Sequence, residues 1–207
     1  MVLSKEKYIT SNCTISGNIV YKNEKIVFEN KESNLSDFLV SAYHHFEIKY
    51  PKFYKMDNLS KLGWLATEIL LKDSFNTAEY KPEDVGIVLA NASSSLDTDI
   101  KYYETVKDIA SPALFVYTLP NIVIGEISIR HHFKGENAFF ITEKFDAGFI
   151  EDYVSNLLNN NILQVCICGW VEVLGNAYKT VLFLVEKEGT VPFTKENINK
   201  TYQSENG

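Results

Sequence analysis

Apolar residues recur along this chain in two rhythms, one helical and one suited to strands. Between Lys61 and Lys72, Leu62, Leu65, Ala66, Ile69 and Leu70 fall at helical spacing, which predicts an amphipathic helix with Asp57 or Asn58 as its cap. Val85 to Ala90, Leu163 to Cys168 and Thr180 to Val185 are continuous apolar runs of strand length, the pattern of strands buried on both faces. Gly169 and Gly175 bound the expected turn region between the last two runs. Tyr8 to Ile15 alternates weakly and reads as a first strand. Ser16 to Asn34, with Gly17-Asn18 and then Lys25 to Phe28, reads as a short hairpin or irregular arm.

The intervening segments supply helices and loops. A helix is expected from Ser36 towards Tyr50, where Pro51 stops it. Asp99 to Ile109, Ile122 to Ile129 and Gly148 to Leu158 read as further helices, the second packed closely on its neighbours at Gly125. Ala138 to Ile141 reads as a short buried strand. Asn91 to Ser95 reads as a polar loop, and Ser111 to Asn121 as an irregular stretch. Strands alternating with helices predict an α/β layered domain, a buried mixed sheet covered by helices. One domain over 1–190 is expected, followed by a polar, frayed tail over 191–207.

Composition narrows the function classes. The 45% hydrophobic and 13% aromatic content indicates a packed interior. A net charge of −7 argues against a nucleic-acid surface, which needs clustered Lys and Arg. No segment approaches the ~20 apolar residues of a membrane-spanning helix. Lys5, Glu6 and Lys7 break any signal-peptide pattern, so a cytoplasmic protein is expected.

The residues themselves offer little chemistry. Three cysteines cannot build a disulfide framework. Cys166 and Cys168 lie two apart and share one face of a strand, where burial suits them better than a soft metal. His44-His45 and His131-His132 are adjacent pairs whose side chains diverge, so neither is a natural chelate. The serines of Asn91 to Ser95 lack the glycines and lysine of a phosphate-binding loop. No metal or cofactor is expected.

Several short blocks nevertheless stand in a familiar order. They are Tyr54-Lys55-Met56-Asp57 before a helix, Val85-Gly86-Ile87-Val88, Ser111-Pro112 with Pro120-Asn121, Gly125 and Gly135, and Cys168-Gly169-Trp170-Val171-Glu172. In this order and spacing the chain resembles the N-terminal half of the β-ketoacyl synthases of the thiolase-like superfamily, over roughly Tyr8 to Lys187. In that family a strand leads to an elbow bearing the nucleophilic cysteine. Here the strand is Ala138 to Ile141 and the elbow threonine is Thr142. Counting on from Gly135 puts the nucleophile position at Lys144, or at Phe145 if the register slips by one.

Neither residue is cysteine, and the thioester chemistry of the family needs a thiolate. The family's two catalytic histidines belong to a second half that this sequence does not contain. The resemblance therefore implies a non-catalytic relative, similar to the chain-length factors of type II polyketide and aryl polyene systems, and not an enzyme on its own. It implies an active ketosynthase as partner, with acyl carrier protein reached through the complex. The implied dimer edge is Phe139, Phe140, Ile141 and Thr142, and Ala113, Leu114 and Phe115 are implied gates of the partner's acyl tunnel. Pairing with a second copy in isolation stays open. So do two other readings, a stand-alone acyl- or carrier-binding scaffold and an acyltransferase using Cys166 or Cys168.

Overall fold

The computed structural model describes residues 6–204. Its centre is one mixed sheet in the order β3-β2-β1-β7-β6-β4-β5. The strands are β1 (Tyr8–Ser16), β2 (Ile19–Lys22), β3 (Lys25–Glu29), β4 (Val85–Asn91), β5 (Asn137–Ile141), β6 (Val165–Leu174) and β7 (Ala177–Glu186). A two-residue strand, β8 (Val191–Pro192), pairs with the start of β1. β4 runs parallel to both β5 and β6, and every other pairing is antiparallel.

The continuous apolar runs are strands covered on both sides, as their composition demands. On β6, Val165, Ile167, Val171 and Val173 enter one core and Cys166 and Cys168 the other. On β7, Leu182 and Leu184 face the first core while Val181, Phe183 and Val185 face the second. The first core is covered by α1 (Leu35–His45), α2 (Asn58–Leu71) and α5 (Ile122–His131). The second lies under α6 (Ala147–Asn159) and α7 (Lys195–Gln203). Helices α3 (Leu96–Val106) and α4 (Pro112–Val116) sit outside both cores.

Helix caps follow the sequence closely. Asp57 caps α2 by accepting from Ser60 N–H at 2.9 Å, and Asn34 caps α1 two residues earlier than Ser36 suggests. α2 is expected to be amphipathic. It is instead buried nearly all round, because α1 and α5 close over the side turned away from the sheet.

Several expectations are corrected. The close helix approach is at Gly63 rather than Gly125. A Cβ at Gly63 would meet Val123 Cγ2 at 2.6 Å, whereas one at Gly125 would meet nothing within 4 Å. Gly169 bounds no turn. It lies inside β6 at φ +147°, where a Cβ would strike the Val181 carbonyl oxygen at 2.0 Å. β5 is a sheet edge with half-buried and exposed residues, since β4 is its sole neighbour in the sheet. The expected frayed tail is ordered through β8 and α7, held by fully buried Ile198, while residues 205–207 lie outside the described residues.

Candidate functional site

The residues singled out by sequence lie at the turn from β5 into α6, on β5 itself and on α4, which packs on the outer helix α3. At the turn, the Thr142 hydroxyl donates to the Lys144 carbonyl at 3.0 Å and the Lys144 side chain stands exposed. Asp146 then caps α6, accepting from Phe149 N–H at 3.0 Å. Phe145 turns inward. Its ring stacks on Tyr202 of α7 (3.9 Å between centroids, 7° between planes) and meets Trp170 edge-on at 6.0 Å. Lys179 lies 4.3 Å from the Tyr202 ring and donates to the Tyr202 carbonyl at 2.6 Å.

Glu172 of β6 ties the neighbouring loop. Its Oε2 accepts from Ala92 N–H at 2.6 Å and from Ser93 N–H at 3.2 Å, and Asn91 Oδ1 accepts from Ser94 N–H at 3.0 Å. The serine loop therefore spends its backbone donors on its own protein, as expected for a plain loop.

The thiols are out of reach. Cys166 and Cys168 are fully buried beneath α6 on the same face of β6, and Cys13 is buried in the other core. Burial, then the neighbouring Cys166, pushes the Cys168 thiol well above its ordinary range, so it stays protonated. The histidines scatter. His44 lies 3.2 Å from the Tyr54 hydroxyl, His131 lies 2.9 Å from Glu68, and His132 ends α5 with left-handed backbone. Among the described residues no cluster of three or more potential metal ligands occurs.

α3 is built inside out. Its buried residues are polar, Asp97 and Thr98, while Leu96, Ile100, Tyr103 and Val106 are 44%, 53%, 67% and 50% exposed. Polar ties hold this orientation. Asp97 accepts from Gly175 N–H at 3.0 Å and from Lys101 at 2.6 Å; Thr98 donates to Asp57 at 2.6 Å; Ser95 donates to the Thr118 carbonyl at 2.8 Å. α4 continues the apolar surface. Its Phe115 is 60% exposed and approaches Tyr102 at 5.5 Å, and Ala113 is exposed while Leu114 is half-buried.

The same end of the sheet carries the free strand edge. Thr142 N–H bonds to Asn91 and Ile87 N–H to the Glu136 carbonyl, so alternate residues of β5 face β4. The N–H and C=O groups of Asn137, Phe139 and Ile141 consequently point away from the sheet. Phe139 packs into the first core, and Phe140 packs against Phe149 and Tyr153 at 4.8 and 4.9 Å. Thr142, at the end of β5, thus meets Asn91, four residues before the Ser95 that opens α3, and α4 packs on α3 through Phe115 and Tyr102. The outward stripe of α3 and the Tyr202 contact were missed by sequence reasoning. The stripe's 4- and 3-residue spacing was visible, but spacing alone does not say which side of a helix faces its own core.

No protein-family profile matches the sequence, and no curated protein matches it. Solved structures do match in shape. One is a type II polyketide synthase ketosynthase with its acyl-carrier protein, AntDE:AntF. It aligns with a TM-score of 0.63 at 16% identity, over 89% of this chain and 63% of that one. The ishigamide ketosynthase/chain length factor aligns at 0.61 and 16% identity, over 87% and 62%. A chain from the complex of the ketosynthase ApeO with its chain length factor ApeC, from Xenorhabdus doucetiae, aligns at 0.60 and 10% identity, over 96% and 91%. The chain spans under two-thirds of the first two and nearly all of the third. What these likenesses share is a fold, the thiolase-like ketosynthase and chain-length-factor fold.

Proposed function

We propose that this thiolase-fold chain is the non-catalytic partner of an active β-ketoacyl synthase in polyketide or fatty-acid assembly of the aryl polyene kind, acting in the cytoplasm. The observation that carries this reading is α3, with polar residues beneath it and an apolar stripe outside. A helix oriented that way is stable in water only at a cost that a second protein removes by covering it. The adjacent free edge of β5 offers backbone groups for the same partner, and burying its apolar surface yields ~25 cal/mol per Å².

The elbow supports the silent half of the reading. A lysine or phenylalanine stands where the family's thiolate would be, and the three native thiols are buried. An acyltransferase using Cys166 or Cys168 finds no support, because neither side chain reaches solvent. The partner supplies the thiol, and acyl carrier protein is met through the complex. Ala113, Leu114 and Phe115 are the gate residues facing the partner's acyl tunnel in this reading, with Phe115 the bulkiest of the three.

Co-expression with each ketosynthase encoded beside this gene, followed by pull-down and an elongation assay, tests the reading. A stoichiometric complex is expected, with activity lost when this chain is omitted and unchanged in Lys144→Ala. Ile100→Glu should weaken the complex by about 2 kcal/mol or more, roughly thirtyfold in Kd. An Ile100→Glu variant that pairs normally, or activity lost in Lys144→Ala alone, overturns it.

A further inference from the structure

We propose that the cleft between the C-terminal ends of α1, α2 and α5 binds a small apolar carboxylate, gripped by the free edge of the Arg130 guanidinium. The cleft encloses about 520 Å³, the size of a small-ligand site. Its lining comes from α2, the last turn of α5 and the segments that follow α1 and α2, and none of it from α3, α4 or β5. The site therefore lies outside the surface assigned to a partner.

Arg130 is fixed in place by its own protein. Its Nε donates to Glu68 Oε1 at 3.0 Å and its Nη2 to Glu68 Oε2 at 3.3 Å, which spends one edge of the planar fork. The guanidinium carbon lies 5.2 Å from the Tyr50 ring and 5.9 Å from the fully buried Trp64 ring, and those two rings stack on each other. Glu68 is held in turn, with Oε1 2.9 Å from His131 Nε2. Burial pushes the Glu68 carboxyl up, but the His131 and Arg130 contacts outweigh it and keep it below its ordinary range, so Glu68 stays charged. Among the described residues Arg130 Nη1 has no hydrogen-bond partner, and Arg130 lines the cleft with 33% of its side chain exposed.

A guanidinium grips carboxylates two bonds at a time, so the edge left over from Glu68 is shaped for a second carboxylate. The other lining residues say what that carboxylate is attached to. Buried Ile69 and Leu71, with half-buried Phe46, Ile48 and Phe75, give the cleft an apolar wall. The exposed Lys49 and Lys72 offset the exposed Glu47 and Asp73, so the guanidinium decides the sign of the ligand.

Octanoate titrated into the intact, isotope-labelled chain and followed by NMR tests the site, with octanol as the same chain lacking the charge. Octanoate should shift the amides of Ile48, Phe75 and Arg130 with a Kd below about 1 mM, and octanol should bind at least about tenfold more weakly. Arg130→Lys keeps a charge beside Glu68 but loses the spare edge, so it should weaken octanoate about tenfold and leave octanol unchanged. Thr77→Trp, at an exposed position lining the cleft, should fill the space and weaken both about tenfold, with circular dichroism unaltered. Absence of shifts in the cleft, octanol binding as tightly as octanoate, or unaltered octanoate binding in either variant overturns the site. No ketosynthase enters the measurement, so the site and the pairing stand or fall separately.

Discussion

At the scale of single residues, Asp57 shows how one side chain joins the core to the outer surface. It caps α2 through Ser60 and accepts from Thr98 of α3. Burial raises its pKa, outweighing the hydrogen bonds from Thr98 and Ser60 that favour the charged form. A carboxyl whose folded pKa lies above its unfolded value binds protons more tightly when folded. Its ionisation therefore costs stability at neutral pH, and the cost fades as pH falls towards the folded pKa. Asp57→Asn keeps the capping oxygen and removes the charge. We expect its unfolding free energy at pH 7 to equal or exceed that of the wild type by up to about 1 kcal/mol, an advantage that narrows by pH 5. Urea denaturation at both pH values checks this, and a clear loss at pH 7 would show that the charge itself holds α3. The cap was legible in the sequence as Asp57 before a helical run. The bond to Thr98, 41 positions away, was not, because nothing local announces a tertiary partner.

At the scale of elements, the runs at Val85, Leu163 and Thr180 were legible because a strand covered on both faces must be apolar throughout. β5 has a similar run, Ala138 to Ile141, yet lies at the edge. An apolar run does not prove an interior place, because an edge strand still packs both faces inward, here through Phe139 and Phe140. Packing at helix crossings was not legible either, as Gly63 and Gly125 show. Gly63→Ala should destabilise by about 1–3 kcal/mol, since the Val123 side chain in its way can shift only partly. Gly169→Ala should cost more than about 3 kcal/mol, because the obstacle is the Val181 backbone and the φ of +147° resists any side chain. Gly125→Ala, with open space around it, should be neutral or slightly stabilising. Thermal and urea melts of the three variants rank the sites, and equal losses at Gly63 and Gly125 would refute the assignment of the close crossing. α7 escaped sequence reading for a related reason. A helix docked by Ile198 and Tyr202 amid polar residues has too little apolar period to announce itself.

At the scale of the whole molecule, the exposed stripe of α3 and the side chains of Phe115, Val116 and Leu119 should make the isolated chain adhesive. Sedimentation of the purified protein should show association that grows with concentration, and Ile100→Glu should return it towards monomer. A chain that stays monomeric at all concentrations would mean the stripe is tolerated in water without cover. The two edges of the sheet are not equivalent. β3, at the far end, is five residues long and begins and ends in exposed charges, Lys25 and Glu29, the device by which strands discourage further pairing. β5 carries its free polar groups on Asn137, Phe139 and Ile141, with no charge among them. A sheet that can grow from one side alone has a natural stopping point. Joined through β5, two such sheets become one continuous layer whose outer borders are both guarded. On the proposed pairing through β5, the number of joined sheets would stop at two, and the open edge would have no second surface from which to seed a fibre.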